Sequence, residues 1–150
     1  MQHAILKKLI SSEVRTLSYA ERQIAKRLAQ IASSVPAGAT QDILNERVKI
    51  SDSRVAPLKT LADKVVGEKA VHAASCVGIN AILDEVENVA SEGLEPDALH
   101  AETTLGLQRI IAYQLAGYGA VQSYGTALGI AEDIRPLERS IAADKSELKF

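Results

Sequence analysis

The sequence predicts an all-α protein, an antiparallel bundle of four long helices with an additional short one, in a single domain over residues 1–150. Three observations carry this. Chain breakers cut the sequence into a few long segments, apolar residues inside them recur at spacings of three, four and seven, and the apolar fraction is almost entirely aliphatic. Hydrophobic residues make up 47% of the chain but aromatic ones only 3%, with four Tyr, Phe150 and no Trp. Ala, Leu, Ile and Val suit closely packed helices, whereas sheets draw more on aromatic and β-branched side chains. There is no strand-like alternation, low-complexity tract or domain linker. A chain of 150 residues is long enough to bury one sizeable core.

The first segment covers about residues 4–33, ahead of the loop Val35-Pro36-Ala37-Gly38. Leu17, Ile24, Leu28 and Ile31 give it a buried face, and Lys7, Lys8, Arg15, Arg22 and Lys26 fill much of the remainder. The second covers about residues 41–66 and stops near Gly67, with Thr40 as its N-cap and Asp42 in its first turn. Pro57 lies inside it and predicts a kink, because proline removes a backbone donor and crowds the preceding turn. A shorter helix over about residues 71–91 is closed by Gly93. The fourth segment opens on Pro96, a good first-turn residue, and continues to Leu128 before Gly129. The last starts near Pro136 and runs towards Leu148. Helices of ~30 residues are ~45 Å long at ~1.5 Å per residue, a length suited to antiparallel bundle packing.

Composition also excludes several functions. The net charge is -2, from 17 basic and 19 acidic residues interspersed along the chain. No basic stripe or aromatic platform is present, which disfavours nucleic-acid binding. A single cysteine, Cys76, rules out an internal disulfide and fits a reducing compartment. No segment approaches the ~18 consecutive apolar residues of a membrane span. The N-terminal stretch has lysines but no signal-like apolar core, so a cytoplasmic location is expected.

Several stretches together resemble the YciF/YciE-type ferritin-like proteins of bacteria. Ala20-Glu21-Arg22-Gln23-Ile24 is close to that family's Ala-Glu-Lys-Gln-Leu. Cys76-Val77-Gly78-Ile79, followed by Ile82-Leu83-Asp84-Glu85, matches its Cys-containing segment. Gln108-Arg109-Ile110, Tyr113, Tyr118-Gly119 and Ala127-Leu128-Gly129 follow its Gln-Lys-Val-Glu-His-Tyr-Glu-Ile-Ala-x-Tyr-Gly pattern and terminal Leu-Gly. Each motif alone is weak, but order and spacing agree over nearly the whole chain. The resemblance implies a ferritin-like four-helix bundle with a short helix between its second and third long ones. It also implies a carboxylate-and-histidine site at mid-bundle, where two adjacent cations need bridging negative charge.

The ligands are where this sequence departs from the family. Glu21 matches the first-helix glutamate. Where the family has His-x-x-Glu-Thr, this chain has Arg47 and then Ile50-Ser51, and its Glu-His-Tyr-Glu becomes Ile111-Ala112-Tyr113-Gln114. Its acidic run in the last helix becomes Ala142-Ala143-Asp144-Lys145. Glu21 and Asp144 are then vestiges, and Arg47, Ile50, Ile111, Ala112 and Gln114 are replacements at former ligand positions.

Glu21 lies on the apolar face, and burying a lone carboxylate is expensive unless it is paired or protonated. Arg47 is expected to supply the counter-charge in place of metal, because a guanidinium can hold a carboxylate in bidentate fashion. Gln114 stands within reach on the facing stripe, and Arg54, two turns further on, is the reserve cation. The alternatives are a surface Glu21 on a helix rotated from this reading, and a solvated Arg47.

The resulting functional expectation is a non-enzymatic, oligomeric ferritin-like protein without a cofactor, structural or stress-associated by resemblance. One alternative is a di-iron-type protein with a reduced or displaced site, using Glu21 and Asp144 with help from Asp52 or Glu138. Another is a small-molecule binder using the space between Ile50, Ile111 and Gln114. A homodimer is expected because Val77, Ile79, Ile82, Leu83, Val86 and Val89 give the short helix more apolar surface than one bundle face needs.

The remaining candidates read as structural. His3, His72 and His100 fall on different segments, and Asp97 with His100 sits at a helix start, where acids complement the dipole. Cys76 reads as a small core residue. Tyr113, Tyr118 and Tyr124 combine core contact with a hydroxyl seeking a partner. Gly117, Gly119 and Gly125 provide close helix packing.

Overall fold

The computed structural model describes residues 2–66 and 75–148. Within them the chain forms α1 (Gln2–Ser34), α2 (Ala39–Val66), α3 (Val77–Ser91), α4 (Pro96–Leu128) and α5 (Ala131–Glu147), with no strand. α1 packs on α2 and α4, and α5 packs on α2 and α4, so these four close a bundle with α1 and α5 on opposite corners. The short helix α3 lies against α1 and α4.

The long helices bury stripes with a three-four rhythm. In α1 the stripe is Ile10, Val14, Leu17, Glu21, Ile24, Leu28 and Ile31; in α2 it is Leu44, Arg47, Ser51, Arg54, Leu58, Leu61 and Val65. In α5 it is Ile134, Leu137, Ile141 and Asp144. Such a period keeps one seam turned toward the neighbouring helices along the whole length.

The core is split in two. One apolar cluster joins Ile24, Leu28 and Ile31 to Leu44, to Ile79 and Leu83 of α3, and to Leu107 and Ile110. The other joins Ile10, Val14 and Leu17 to Leu58 and Leu61, to Tyr118 and Val121, and to Ile134 and Ile141 of α5. The polar members of every stripe fall in the gap between them.

Several boundaries differ from expectation. α2 begins at Ala39, with the Gly38 carbonyl accepting from the Asp42 amide at 3.0 Å, so Thr40 is inside the helix and buried and does not cap it. As expected, α2 continues as one helix with Pro57 inside it. α5 begins at Ala131 and leaves Pro136 inside. The early start follows from Gly129, whose φ of 74° ends α4 in the left-handed region, and from Glu132 and Asp133, which favour a first turn there. Cys76 is extended and precedes α3, so the helix starts later than residue 71; Val71, His72 and Gly67 lie outside the described residues.

The apolar face of α3 is used within the chain. Ile79, Leu83 and Val86 are buried, Ile82 and Val89 pack against the same cluster, and only Val77 stands exposed. The surplus surface that suggested a dimer is therefore not found there. Among the suggested packing glycines, Gly125 faces Ile134 so closely that a Cβ would meet its Cδ1 at 2.0 Å, whereas Gly119 faces open space. No described helix is long and apolar enough to cross a membrane.

Candidate functional site

Antiparallel packing brings the polar stripe positions of four helices to one level. Glu21 comes from α1, Arg47, Ser51 and Arg54 from α2, Gln114 and Tyr118 from α4, and Asp144 from α5; all are buried. Their hydrogen bonds form a closed ring. Arg47 donates from Nη1 to Asp144 Oδ1 at 2.7 Å and from Nη2 to Oδ2 at 2.9 Å. The second nitrogen also donates to Gln114 Oε1 at 2.7 Å. Gln114 passes a hydrogen bond from Nε2 to Glu21 Oε1, so its amide turns its acceptor to the cation and its donor to the anion. Glu21 Oε1 also accepts from Tyr118 Oη at 2.6 Å and from Arg54 Nη1 at 3.3 Å. Arg54 closes the ring by donating from Nη2 to Asp144 Oδ2 at 2.7 Å. It is braced by the Ser140 hydroxyl and carbonyl and by the Tyr118 ring, 5.2 Å from its guanidinium carbon.

Two guanidinium groups thus face two carboxylates, and the layer is formally neutral. The electrostatics are uneven. Burial pushes the Glu21 carboxyl above its ordinary value, with Arg54 and the Tyr118 hydroxyl pulling it back only in part. Burial acts the same way on Asp144, but the hydrogen bonds and charges of Arg47 and Arg54 outweigh it and hold this carboxyl low. Burial and the adjacent Glu21 raise the Tyr118 phenol well above its usual range. Only Glu21 Oε2, Ser51 Oγ and Arg47 Nε within the layer lack a hydrogen-bond partner.

The pairing differs from the one expected. Arg47 takes Asp144, and Arg54, the reserve cation, takes both carboxylates. The reason is α5, whose antiparallel course sets Asp144 between the two arginines. Two further assignments need correction. Ala112 is exposed, because it stands about 200° around the helix from Gln114 at ~3.6 residues per turn, and it fills no interior volume. Ile50 is half-buried at the edge of the layer, while Ile111 is buried as expected. Ser51, Tyr118 and Ser140 join the layer beyond the site residues that the sequence marks. The three-four rhythm of α2 continues through Ser51 and would have placed it.

The donor set does not fit a dinuclear metal centre. Both Asp144 oxygens and one Glu21 oxygen are taken by protein donors, and two guanidinium groups stand among them. A remaining carboxylate oxygen and one hydroxyl are too few ligands for even a single transition metal. Among the described residues, no three or more His, Cys, Asp and Glu side chains are grouped so as to hold a metal ion. Outside the layer, Cys76 Sγ lies 3.2 Å from the Tyr113 hydroxyl.

Four closed corners, a short helix between the second and third long ones and a polar layer at mid-height define an all-α, ferritin-like bundle. The same fold is found in the E. coli stress protein YciF, at a TM-score of 0.84 and 15% identity, covering 95% of this chain and 89% of that one. It is also found in YcfI from Rhodopseudomonas palustris, described as a candidate structural protein, at a TM-score of 0.81, 22% identity and the same coverage. At these identities the likeness is one of fold. No protein-family model and no curated protein matches the sequence.

Proposed function

We propose that this chain is a non-catalytic, ferritin-like bundle protein in which a buried ion-pair ring replaces a dinuclear metal site, and that its role is structural or stress-associated. The observation that carries this reading is the double occupation of Asp144 by Arg47 and Arg54, with Glu21 held by Arg54, Gln114 and Tyr118. A site built for chemistry keeps an open ligand position or an acid and base free to exchange protons. Here the acids and bases satisfy each other. The descriptions of the two fold neighbours, a stress protein and a candidate structural protein, support the role.

Elemental analysis of protein purified without chelator, followed by equilibrium dialysis against Fe(II) and Mn(II), tests the proposal. Far less than one metal per chain is expected, with no change on removing Glu21. Near-stoichiometric metal that is lost in Glu21→Gln would overturn it. The alternative of a displaced site gains no support from Asp52 or Glu138, which are exposed and make no bond to the layer.

A further inference from the structure

α5 has 17 residues and is ~25 Å long at ~1.5 Å per residue, whereas the α2 and α4 flanking it have 28 and 33. At the Glu147 end of α5 the described residues leave a groove of about 310 Å3 between α2 and α4. Its apolar walls are Ile43 and Ile50 from α2 and Leu107 and Ile111 from α4, with Arg47, Thr104 and Gln108 also in the lining. A volume of this size is at the lower end of small-ligand sites.

The exposed charge among the described lining residues is negative. Glu46 and Glu147 both line it, both are exposed, and neither has an ion-pair partner among the described residues. Among the described lining residues Arg47 is the only basic one, and its charge is already matched by both oxygens of Asp144. Among the described residues, an anion entering the groove meets two carboxylates and no free cation. An aliphatic body bearing a positive end meets apolar walls and two carboxylates at the edge.

We propose that this groove binds small amphiphilic cations of the alkylammonium class, the alkyl chain against Ile43, Ile50, Leu107 and Ile111 and the ammonium at Glu46 and Glu147. The test uses octylammonium chloride, octanol and sodium octanoate below their aggregation concentrations, read on isoleucine methyl signals of selectively labelled protein. Octylammonium should shift Ile43, Ile50 and Ile111 saturably and leave Ile134 and Ile141, in the other apolar cluster, unmoved. It should bind about fivefold more tightly than octanol, the increment two exposed carboxylates supply, and octanoate should bind least well. In the Glu46→Gln, Glu147→Gln double variant, octylammonium should fall to the level of octanol. Absence of saturation, octanoate binding as well as octylammonium, or shifts spread over both clusters would overturn the proposal. Shifts of the same methyls on simple dilution of the protein would assign the groove to a second copy of the chain, and would overturn it equally.

Discussion

Arg47 and Asp144, 97 residues apart in the chain, meet in a two-point ion pair with nitrogen–oxygen distances of 2.7 and 2.9 Å, both side chains shut off from solvent. Bringing two charges out of water costs several kcal/mol each, and this geometry offsets the cost only while both partners are present.

Truncating one partner should therefore be severe. Arg47→Met is expected to lower unfolding free energy by ~3–5 kcal/mol, since Asp144 would keep one guanidinium and Gln114 Oε1 would lose its donor. Adding Asp144→Leu should recover a large part of the loss, because Arg54 and Glu21 then balance each other. Urea denaturation of the two single variants and the double variant checks this; strictly additive losses would show that the pair is not energetically coupled.

Tyr118→Phe removes one hydroxyl and keeps the ring against Arg54. The lost bond goes to a carboxylate, so a destabilisation of ~1.5–3 kcal/mol is expected. A change within a few tenths of a kcal/mol would mean that Glu21 does not depend on this donor.

The two carboxyls should respond to pH in opposite senses. Glu21 is raised in the folded state above its ordinary 4.5, so the folded chain holds this proton more tightly than the unfolded one. Its contribution is full below 4.5 and is lost as pH rises through the folded value. Asp144 is lowered below its ordinary 3.8, so its contribution is present above 3.8 and lost as pH falls through the folded value. Stability profiles of Glu21→Gln and Asp144→Asn, each subtracted from the unaltered protein, should slope in opposite directions around these values. Two slopes of the same sign would contradict the assignment.

Tyr113 offers a local test away from the ring. Its phenol is pushed up to about 12, first by the hydrogen bond with Cys76 and then by burial. Cys76→Ala should bring it back toward 10.0, read by ultraviolet titration against a Tyr113→Phe control. An unchanged titration would remove Cys76 as the cause.

Much of the fold was legible because periodicity is local. The Leu17, Ile24, Leu28 and Ile31 stripe placed Glu21 inside, and it is inside. What the sequence hid was the offset between helices. Whether Arg47 or Arg54 meets Glu21 depends on how far α5 slides along α2, and no pattern within either helix states this. The buried stripes run straight through polar residues: 44, 47, 51, 54 and 58 in α2, and 137, 141 and 144 in α5, keep one rhythm across Leu, Ile, Arg, Ser and Asp alike. Pro136 marks no helix start, because Gly129 has already released the chain from α4 and α5 begins at Ala131.

The gap between the two apolar clusters sets the vertical alignment of the bundle. Aliphatic stripes repeat, and a helix displaced by one heptad, ~10.5 Å at ~1.5 Å per residue, would still present leucine and isoleucine to its neighbours. The ring does not repeat. Any such slip would leave guanidinium or carboxylate groups against hydrocarbon, so only one axial position of each of the four helices satisfies all of them. A chain with every ring residue made aliphatic should keep its helix content yet show several conformers in its methyl spectrum, because nothing would then distinguish one rung of the bundle from the next.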